Sequence, residues 1–199
     1  MRNLMTMGLM ALALLGLAAC DSNTGDGGVT LQAQTVTNLA ADPNTGLDAT
    51  TGRPTGAKGR YTLYSLRENK IIPNTDSATT KWDIGFQSST IIANGGSKGP
   101  GQGGLLLRVG AFQDLTVAPD TTYGVQISGS QWYDYNATAN LITPKAGRTI
   151  FVRTADGAKY AKMRILSYYK NQQPSIDPTA SRYYTFEYVL QANGTARFD

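Results

Sequence analysis

Over most of its length the chain alternates apolar and polar positions with a period of two. Near the C-terminus, Ala161, Met163 and Ile165 fall on one side of a predicted strand, and Lys162 and Arg164 fall on the other. This alternation predicts β-strands that each bury one face. Because the apolar face is expected to be buried, we assign Met163 to the core rather than to a ligand site.

Ten segments are predicted strands. They are 35–39, 61–66, 82–87, 89–93, 105–109, 123–127, 132–135, 149–153, 160–169 and 182–191. Asn193-Gly194 predicts a tight turn into a short terminal strand, and the turn-rich segment 41–59 predicts a long loop. No apolar stripe of helical spacing occurs after the first 20 residues. The pattern predicts a single all-β domain, mostly antiparallel, of the two-sheet sandwich type.

The N-terminus has a different pattern. Arg2 precedes an uncharged, almost unbroken apolar run over residues 4–17, and the run ends in Leu17-Ala18-Ala19-Cys20. A positive charge, an apolar stretch and small residues together indicate a secretory signal peptide. The last four residues match the lipobox of bacterial lipoproteins, in which the cysteine receives the lipid. The alternative is a retained membrane anchor, but a span needs about 20 apolar residues and this run is shorter.

The resulting domain prediction has three parts. Residues 1–19 are the signal peptide, residues 20–34 are the lipidated Cys20 (acyl chains such as palmitate) and a flexible glycine-rich tether, and residues 35–199 are the β domain. We therefore expect a cell-envelope protein held to the membrane by lipid alone. The outer membrane is the expected location, at its surface or its periplasmic face.

Composition narrows the possible functions. Cys20 is the only cysteine and the chain has no histidine, which excludes Ser-His-Asp and Cys-His catalysis and histidine-based zinc or haem sites. The net charge of +4 is scattered without a basic run, so we expect no nucleic-acid partner. No spacing of acidic residues suggests a catalytic pair, and we predict a non-catalytic protein.

A glycine-rich segment, Gly99-Pro-Gly-Gln-Gly-Gly104, has the spacing of a dinucleotide-binding motif. That motif requires a helix after the glycines, so that the helix N-terminus meets the pyrophosphate. Here the apolar residues 105–107 predict a strand instead. We expect a surface loop rather than a nucleotide site.

Aromatic residues concentrate in Trp132-Tyr133-Asp134-Tyr135-Asn136. Tyrosine and tryptophan bury a large apolar area while keeping a hydrogen-bonding tip, which suits contact with a flat ligand or a partner. The alternative is that these rings pack as ordinary β-sheet residues. Both interpretations remain open at the level of sequence.

Five blocks of sequence resemble one known family. They are Lys81-Trp-Asp-Ile-Gly-Phe86, the glycine-rich 95–104, Arg148-Thr-Ile-Phe-Val-Arg-Thr-Ala-Asp-Gly157, the strand 160–169, and Tyr183-Tyr-Thr-Phe-Glu-Tyr188. In order and spacing they resemble the HmuY-like haem-binding lipoproteins of Bacteroidetes. The resemblance covers residues 35–199 and implies a mostly β fold and a role in capturing haem for iron acquisition, with an outer-membrane receptor as an expected partner.

The haem ligands of that family do not carry over. Its haem-binding members supply His or Met between the glycine-rich segment and the block that begins at Arg148, and this chain has neither residue there. Tyrosine also ligates haem iron in some proteins, so Tyr133 and Tyr135 are the candidate iron ligands and Trp132 a candidate stacking surface. The other hypothesis keeps the fold without haem binding, as an interaction module for a glycan, another ligand or a receptor component.

Overall fold

The computed structural model describes residues 31–199, which form one compact unit. The predicted signal peptide, Cys20 and most of the predicted tether lie outside these residues. Within residues 31–199 the only helices are three single turns of 3₁₀ helix, Asn74–Asp76, Gly129–Gln131 and Lys170–Gln172. None of the helices in this part of the chain could span a membrane.

Fourteen antiparallel strands make up the regular structure. They are β1 (Gln34–Ala40), β2 (Gly46–Leu47), β3 (Pro54–Thr55), β4 (Thr62–Ser65), β5 (Lys70–Ile72), β6 (Ile84–Gln87), β7 (Thr90–Ala93), β8 (Gly104–Val109), β9 (Gln126–Ile127), β10 (Tyr133–Asn136), β11 (Leu141–Pro144), β12 (Arg148–Arg153), β13 (Tyr160–Tyr169) and β14 (Ser181–Gln191). The first sheet has the order β1-β14-β13-β12-β8, and the second has the order β5-β4-β6-β7-β9. Two hairpins, β2–β3 and β10–β11, stand apart from the sheets. The all-β prediction is confirmed.

The two sheets pack face to face through aromatic side chains. Phe86 of the second sheet stacks on Phe186 of the first at a ring-centroid distance of 5.3 Å, and Tyr64 meets the same Phe186 edge-on at 5.7 Å. Met163 lies on β13 between Ile150 and Tyr188 of its neighbours and is fully buried. The assignment of Met163 to the core is confirmed.

The outer face of the first sheet is also covered, which differs from the expectation of one buried face per strand. Phe112, Phe151 and Phe198 form an apolar cluster there, under the segment after β8 and the C-terminal residues. Lys162 points into this cluster, and its Nζ donates to the carbonyl oxygen of Phe112 at 2.7 Å. The apolar stem of a lysine is compatible with such a cluster when its amine reaches polar atoms.

The compact unit includes residues before Thr35, where the sequence placed the start of the β domain. Leu31 packs against the outer cluster, and Gln34 is the first residue of β1. The Gln34 side chain accepts a hydrogen bond from the hydroxyl of Tyr188 at 3.0 Å. Leu31 and Gln34, which were assigned to the tether, therefore contact the domain through their side chains.

A buried carboxylate connects the two sheets. Asp83, which is fully buried, accepts hydrogen bonds from the backbone N–H groups of Leu66 and Ala155, both at 2.9 Å. The carboxylate also accepts hydrogen bonds from Arg67, whose Nε lies 2.9 Å and whose backbone nitrogen lies 3.3 Å from its oxygens. Arg67 also reaches Asp156 at 3.2 Å. One carboxylate thus ties β4 and β6 of the second sheet to the turn after β12.

The glycine-rich segment packs more closely than a surface loop. A Cβ on Gly101 would lie 2.6 Å from the carbonyl oxygen of Asn94 and 2.7 Å from that of Ala155. A Cβ on Gly99 would lie 2.8 Å from the Trp82 ring. Glycine is required at these positions because backbone and side chains approach too closely for any larger residue. The strand expected after the segment is present as β8.

Several short elements differ from the prediction. Strands β5 and β11 were not predicted, and the segment 123–127 pairs as a strand only at Gln126–Ile127. The expected terminal strand is reduced to a single bridge between Val117 and Arg197. The predicted loop 41–59 contains the hairpin β2–β3.

Candidate functional site

The predicted aromatic segment lies on hairpin β10–β11, at one end of the sandwich. Asn136 and Asn140 shape the turn between its strands: the Asn136 side chain accepts the backbone N–H of Ala139 at 3.0 Å, and Asn140 has a φ of 51°. Asparagine tolerates this left-handed conformation better than most residues. Local side-chain chemistry therefore closes the hairpin.

One hydrogen bond holds the hairpin against the first sheet, and others close its base. The backbone N–H of Ile142 donates to the phenol oxygen of Tyr169 at 2.8 Å, and the backbone N–H of Lys145 donates to the carbonyl oxygen of Trp132 at 2.9 Å. The Lys145 amine also reaches the carbonyl oxygen of Ser130 at 2.7 Å. The hairpin is thus fixed at its base, while its turn projects from the domain.

Trp132 is a core residue. Only 1% of its surface is exposed, and its ring packs against Tyr133, Tyr168 and Tyr184 at centroid distances of 4.8, 6.0 and 5.5 Å. Its indole N–H donates to the carbonyl oxygen of Ser89 at 2.9 Å. The structure does not support Trp132 as a stacking surface, because both ring faces are covered by the core.

Tyr133 and Tyr135, the two candidate iron ligands, have different surroundings. Tyr133 is half-buried, with its ring packed against the core beside Trp132. Tyr135 is 56% exposed and lines a cavity to which Tyr133 does not contribute. Of the 11 tyrosines, all of which lie within residues 31–199, Tyr135 is the only one that is exposed. The structure therefore separates the two predicted ligands.

The cavity beside Tyr135, here called the tyrosine cavity, has a volume of about 170 Å³. Its walls are the hairpin, the end of β13 and the loop before β14. Its aromatic and apolar lining consists of Tyr135, Ile142, Tyr168, Tyr169 and Ile176, and Ile176 has 72% of its surface exposed. Two exposed apolar side chains thus face the same opening.

The polar side of the tyrosine cavity carries both charges. Asp177 and Arg182 line it together with Asn44 and Asn140. Hydrogen bonds from the backbone N–H and the hydroxyl of Thr179 lower the pKa of Asp177, so this carboxylate is ionised at neutral pH. Arg182 donates to the carbonyl oxygen of Asp42 at 3.0 Å. The cavity therefore offers an anion, a cation and amide groups around an aromatic wall.

The phenol of Tyr135 has one hydrogen-bond partner within the described residues, the side-chain oxygen of Asn140 at 2.9 Å. Burial raises the pKa of Tyr168 and, more strongly, that of Tyr184. Those two phenols stay protonated, and their rings pack in the core. Tyr135 combines access to solvent with a free oxygen lone pair, which is what a metal-binding or hydrogen-bonding phenol requires.

Of the residues that line this site, only Tyr135 was predicted from the sequence. Tyr169 anchors the hairpin, and Ile176 and Arg182 complete the cavity. The one sequence signal is the pair Tyr168-Tyr169, which breaks the alternation of β13 where its pairing with β14 shifts register after Ser167. Two adjacent aromatic residues at a strand end would have suggested an aromatic cluster.

Compared with protein-family models and with curated proteins, the sequence gives no match. The resemblance to the HmuY-like family rests on the five sequence blocks and stays a prediction.

Proposed function

We propose that this chain is a lipid-anchored protein of the cell envelope that captures haem or a related porphyrin for uptake, without catalysis. The observation that carries the proposal is the exposed phenol of Tyr135 at the mouth of the tyrosine cavity. The resemblance to the HmuY-like lipoproteins supplies the ligand class. An outer-membrane receptor that accepts the porphyrin is the proposed partner.

The donor groups of the chain favour tyrosine as the iron ligand. The chain has no histidine, and Met163 is fully buried between the sheets. A phenolate oxygen is an established haem-iron ligand, and Tyr135 is the most exposed tyrosine of residues 31–199. The Tyr135 oxygen would therefore coordinate the haem iron. The Tyr133 ring packs against the core beside Trp132, so its oxygen is not the proposed ligand.

Size determines how a porphyrin would sit. The cavity of about 170 Å³ is smaller than the roughly 300–1,000 Å³ of sites that enclose a drug-sized ligand. A macrocycle would lie across the mouth, between the exposed side chains of Tyr135 and Ile176. Arg182 is the cation that lines the opening and is available to a propionate group.

A titration with hemin tests the proposal. The unlipidated chain from Asp21 onward retains every described residue, and its visible spectrum is recorded while hemin is added. We expect saturable 1:1 binding with a shifted Soret band. Because Phe keeps the ring and removes the oxygen, Tyr135→Phe should weaken binding at least about tenfold, which equals about 1.4 kcal/mol.

The controls separate ligation from stacking. Tyr183→Phe removes a half-buried phenol that does not line the cavity, and it should leave hemin binding unchanged. Metal-free protoporphyrin should bind wild type and Tyr135→Phe equally, because it has no iron to ligate. The proposal is overturned if hemin does not bind wild type, or if Tyr135→Phe binds it with unchanged affinity and spectrum.

The lipid anchor is tested separately. Cells that express the full chain are grown with a labelled palmitate analogue, and the protein is followed by fractionation. Wild type should carry the label and sediment with the membranes, whereas Cys20→Ala should lose both properties. Labelled Cys20→Ala would contradict the anchor without bearing on the porphyrin site.

A second candidate ligand is a glycan. The tyrosine cavity places Asn44, Asn140, Asp177 and Arg182 around an aromatic wall, and its volume of about 170 Å³ suits one sugar ring. Flat aromatic faces with a few well-placed polar groups are the chemistry that recognises such ligands. Binding on a glycan array that is lost in Tyr135→Ala and Asp177→Ala, together with a flat hemin titration, would favour this function.

A further inference from the structure

Strand β8 lies at the edge of the first sheet, where β12 is its neighbour. In an antiparallel pair every second residue turns its N–H and C=O away from the neighbouring strand. Leu105 is such an outward residue: its N–H donates to the carbonyl oxygen of Gly124 at 2.6 Å, and its carbonyl oxygen accepts the Gly124 N–H at 3.0 Å. By the same alternation, Leu107 and Val109 also turn their backbone groups outward.

Beyond the bridge to Gly124 the edge of β8 is open. Within residues 31–199, neither Leu107 nor Val109 donates its N–H to another group, and the carbonyl oxygen of Val109 accepts no hydrogen bond. The carbonyl oxygen of Leu107 has one contact, with the Nη1 of Arg108 at 3.5 Å, which is long for a hydrogen bond. Two successive outward residues thus present the donors and acceptors of a strand that has no neighbour.

A groove of about 450 Å³ lies beside this open edge. Leu107 and Val109 line it from β8, and Gln126 and Gln131 line it from the segment that contains β9. Val109 is 73% exposed, Leu107 is half-buried and both glutamines are exposed, so a ligand can reach these side chains. We call this groove the edge groove.

The charged side chains at the edge groove are basic. Arg148 lines the groove, and Arg108 lies on β8 between the two outward residues. Neither arginine makes an ion pair within the described chain, and none of the described residues that line the groove is acidic. The contact of the Arg108 guanidinium with the Leu107 carbonyl oxygen places this charge along the open edge. An acidic side chain opposite Arg108 would therefore stabilise a strand that pairs here.

The same arginine disfavours a second copy of this chain at the edge. In a two-fold antiparallel pair, Leu107 of one copy would face Val109 of the other, because Leu105 is already bonded to Gly124. That register places the two Arg108 side chains directly opposite each other, and like charges in such positions are destabilising. The edge therefore suits a strand of different sequence.

We infer that the edge groove is a docking site for an extended segment of another protein, which adds to the first sheet as a strand antiparallel to β8. Main-chain hydrogen bonds to Leu107 and Val109 supply the affinity. Specificity comes from a carboxylate opposite Arg108 and from an apolar side chain on either side of that carboxylate. The site is independent of porphyrin capture, because the tyrosine cavity is lined by other residues.

Hydrogen exchange of the free protein tests whether the edge is open. In the unlipidated chain from Asp21 onward, the amides of Leu107 and Val109 should exchange rapidly, whereas those of Leu106 and Arg108, which face β12, should be protected. Protection that includes Leu107 and Val109 would overturn the inference, because the edge would then be covered already. If that protection increases with protein concentration, a second copy covers the edge.

A synthetic strand tests the docking. The probe is the peptide acetyl-Thr-Val-Glu-Val-Thr-amide, in which two valines flank one glutamate. When it is added, the ¹H–¹⁵N NMR signals of Leu107 and Val109 should shift saturably, and their amides should become protected. A peptide that is N-methylated at both valines lacks the donors that face β8 and should not bind. N-methylation of the glutamate alone should preserve binding, because that N–H points away from β8.

Charge is tested with matched variants. Arg108→Gln should weaken binding of the probe about two- to fivefold, which is the effect expected of one opposite-charge pair across two strands. The probe with glutamine in place of glutamate should bind wild type more weakly and should not respond to Arg108→Gln. Arg53→Gln removes an exposed positive charge outside the groove and should have no effect.

Three results of these titrations would overturn the inference. One is a wild-type spectrum in which Leu107 and Val109 do not respond to the probe at millimolar concentration. Another is equal binding of the probe and of its form N-methylated at both valines, because the contact would then not be a strand pair. The third is equal affinity of wild type and Arg108→Gln for the probe, because the carboxylate would then not face this arginine.

Discussion

The backbone N–H of Ile142 donates to the phenol oxygen of Tyr169 across 2.8 Å, and this hydrogen bond joins hairpin β10–β11 to the end of β13. Tyr169 is buried, with 3% of its surface exposed. The bond therefore links the exposed tip that carries Tyr135 to the rigid part of the domain. The position of the candidate ligand depends on a residue 34 positions away in sequence.

Tyr169→Phe should loosen this hairpin. The variant keeps the packed ring and leaves the Ile142 N–H without its partner, which should cost about 1 kcal/mol of stability. Hydrogen exchange of the Ile142 amide should accelerate more than the loss of global stability explains. Exchange of the amides in β12 should accelerate only as much as the loss of global stability explains. Tyr183→Phe is the matched control. Unchanged protection of Ile142 in Tyr169→Phe would show that the hairpin is held by other contacts.

Asp83→Asn should be among the most destabilising polar substitutions in the domain. It removes the negative charge that lies 2.9 Å from the Arg67 Nε, and it replaces a carboxylate that accepts three backbone N–H groups. Breaking a buried ion pair is costly, and since Arg67 is partly exposed we expect about 3 kcal/mol, measured as the free energy of unfolding in urea. Asp76→Asn breaks the exposed pair with Lys81 and should cost less than about 1 kcal/mol. Similar values for both variants would contradict the role assigned to Asp83.

Gly101→Ala should destabilise the domain by steric overlap. The added Cβ would lie 2.6 and 2.7 Å from two backbone oxygens, which cannot move without displacing the chain around Asn94 and Ala155. Overpacking of this kind costs about 1–3 kcal/mol, visible as a lower melting temperature. Gly124→Ala is the control, because its Cβ would meet no atom closer than 3.8 Å. A melting temperature as high as that of wild type would refute the close packing of the glycine-rich segment.

The free energy of unfolding should decrease at alkaline pH, in part because the Tyr64 phenol ionises. Burial raises the pKa of Tyr64 from 10.0 to about 12. Between these values the native state keeps a proton that the unfolded state releases, so its contribution is complete below about pH 10 and is lost as the pH rises toward 12. Above pH 10 the free energy of unfolding of Tyr64→Phe should fall less steeply with pH than that of wild type. The difference in slope should correspond to at most one proton. Urea unfolding at pH 8, 9, 10 and 11 measures this; parallel curves for both proteins over the whole range would exclude it.

The long strands were predictable because their alternation reflects the core directly. β12, β13 and β14 each place apolar side chains between the two sheets at every second position, as Ala161 and Met163 do. Strands β5 and β11 were missed because their sequences, Lys-Ile-Ile and Leu-Ile-Thr-Pro, do not alternate apolar and polar residues. The covered outer faces were also missed, since Phe112 and Phe198 reach Phe151 from distant parts of the sequence.

The candidate site was predictable only in part. The aromatic segment marked hairpin β10–β11, but composition could not separate Trp132, which is buried, from Tyr135, which is exposed. The opposite wall comes from the loop that contains Ile176 and from Arg182. These residues carry no local motif, and they meet Tyr135 only because β13 and β14 bring their ends together.

The first and last residues of the described chain pack in one place. Leu31 and Phe198 both belong to the cluster on the outer face of the first sheet, and β1 pairs directly with β14. A short linker could therefore join the two ends, and the chain could be reopened at the turn between Asn136 and Leu141. Such a circular permutant would keep every strand pair of both sheets while turning the tip beside Tyr135 into a pair of free ends, which offers a way to attach cargo or labels at that cavity.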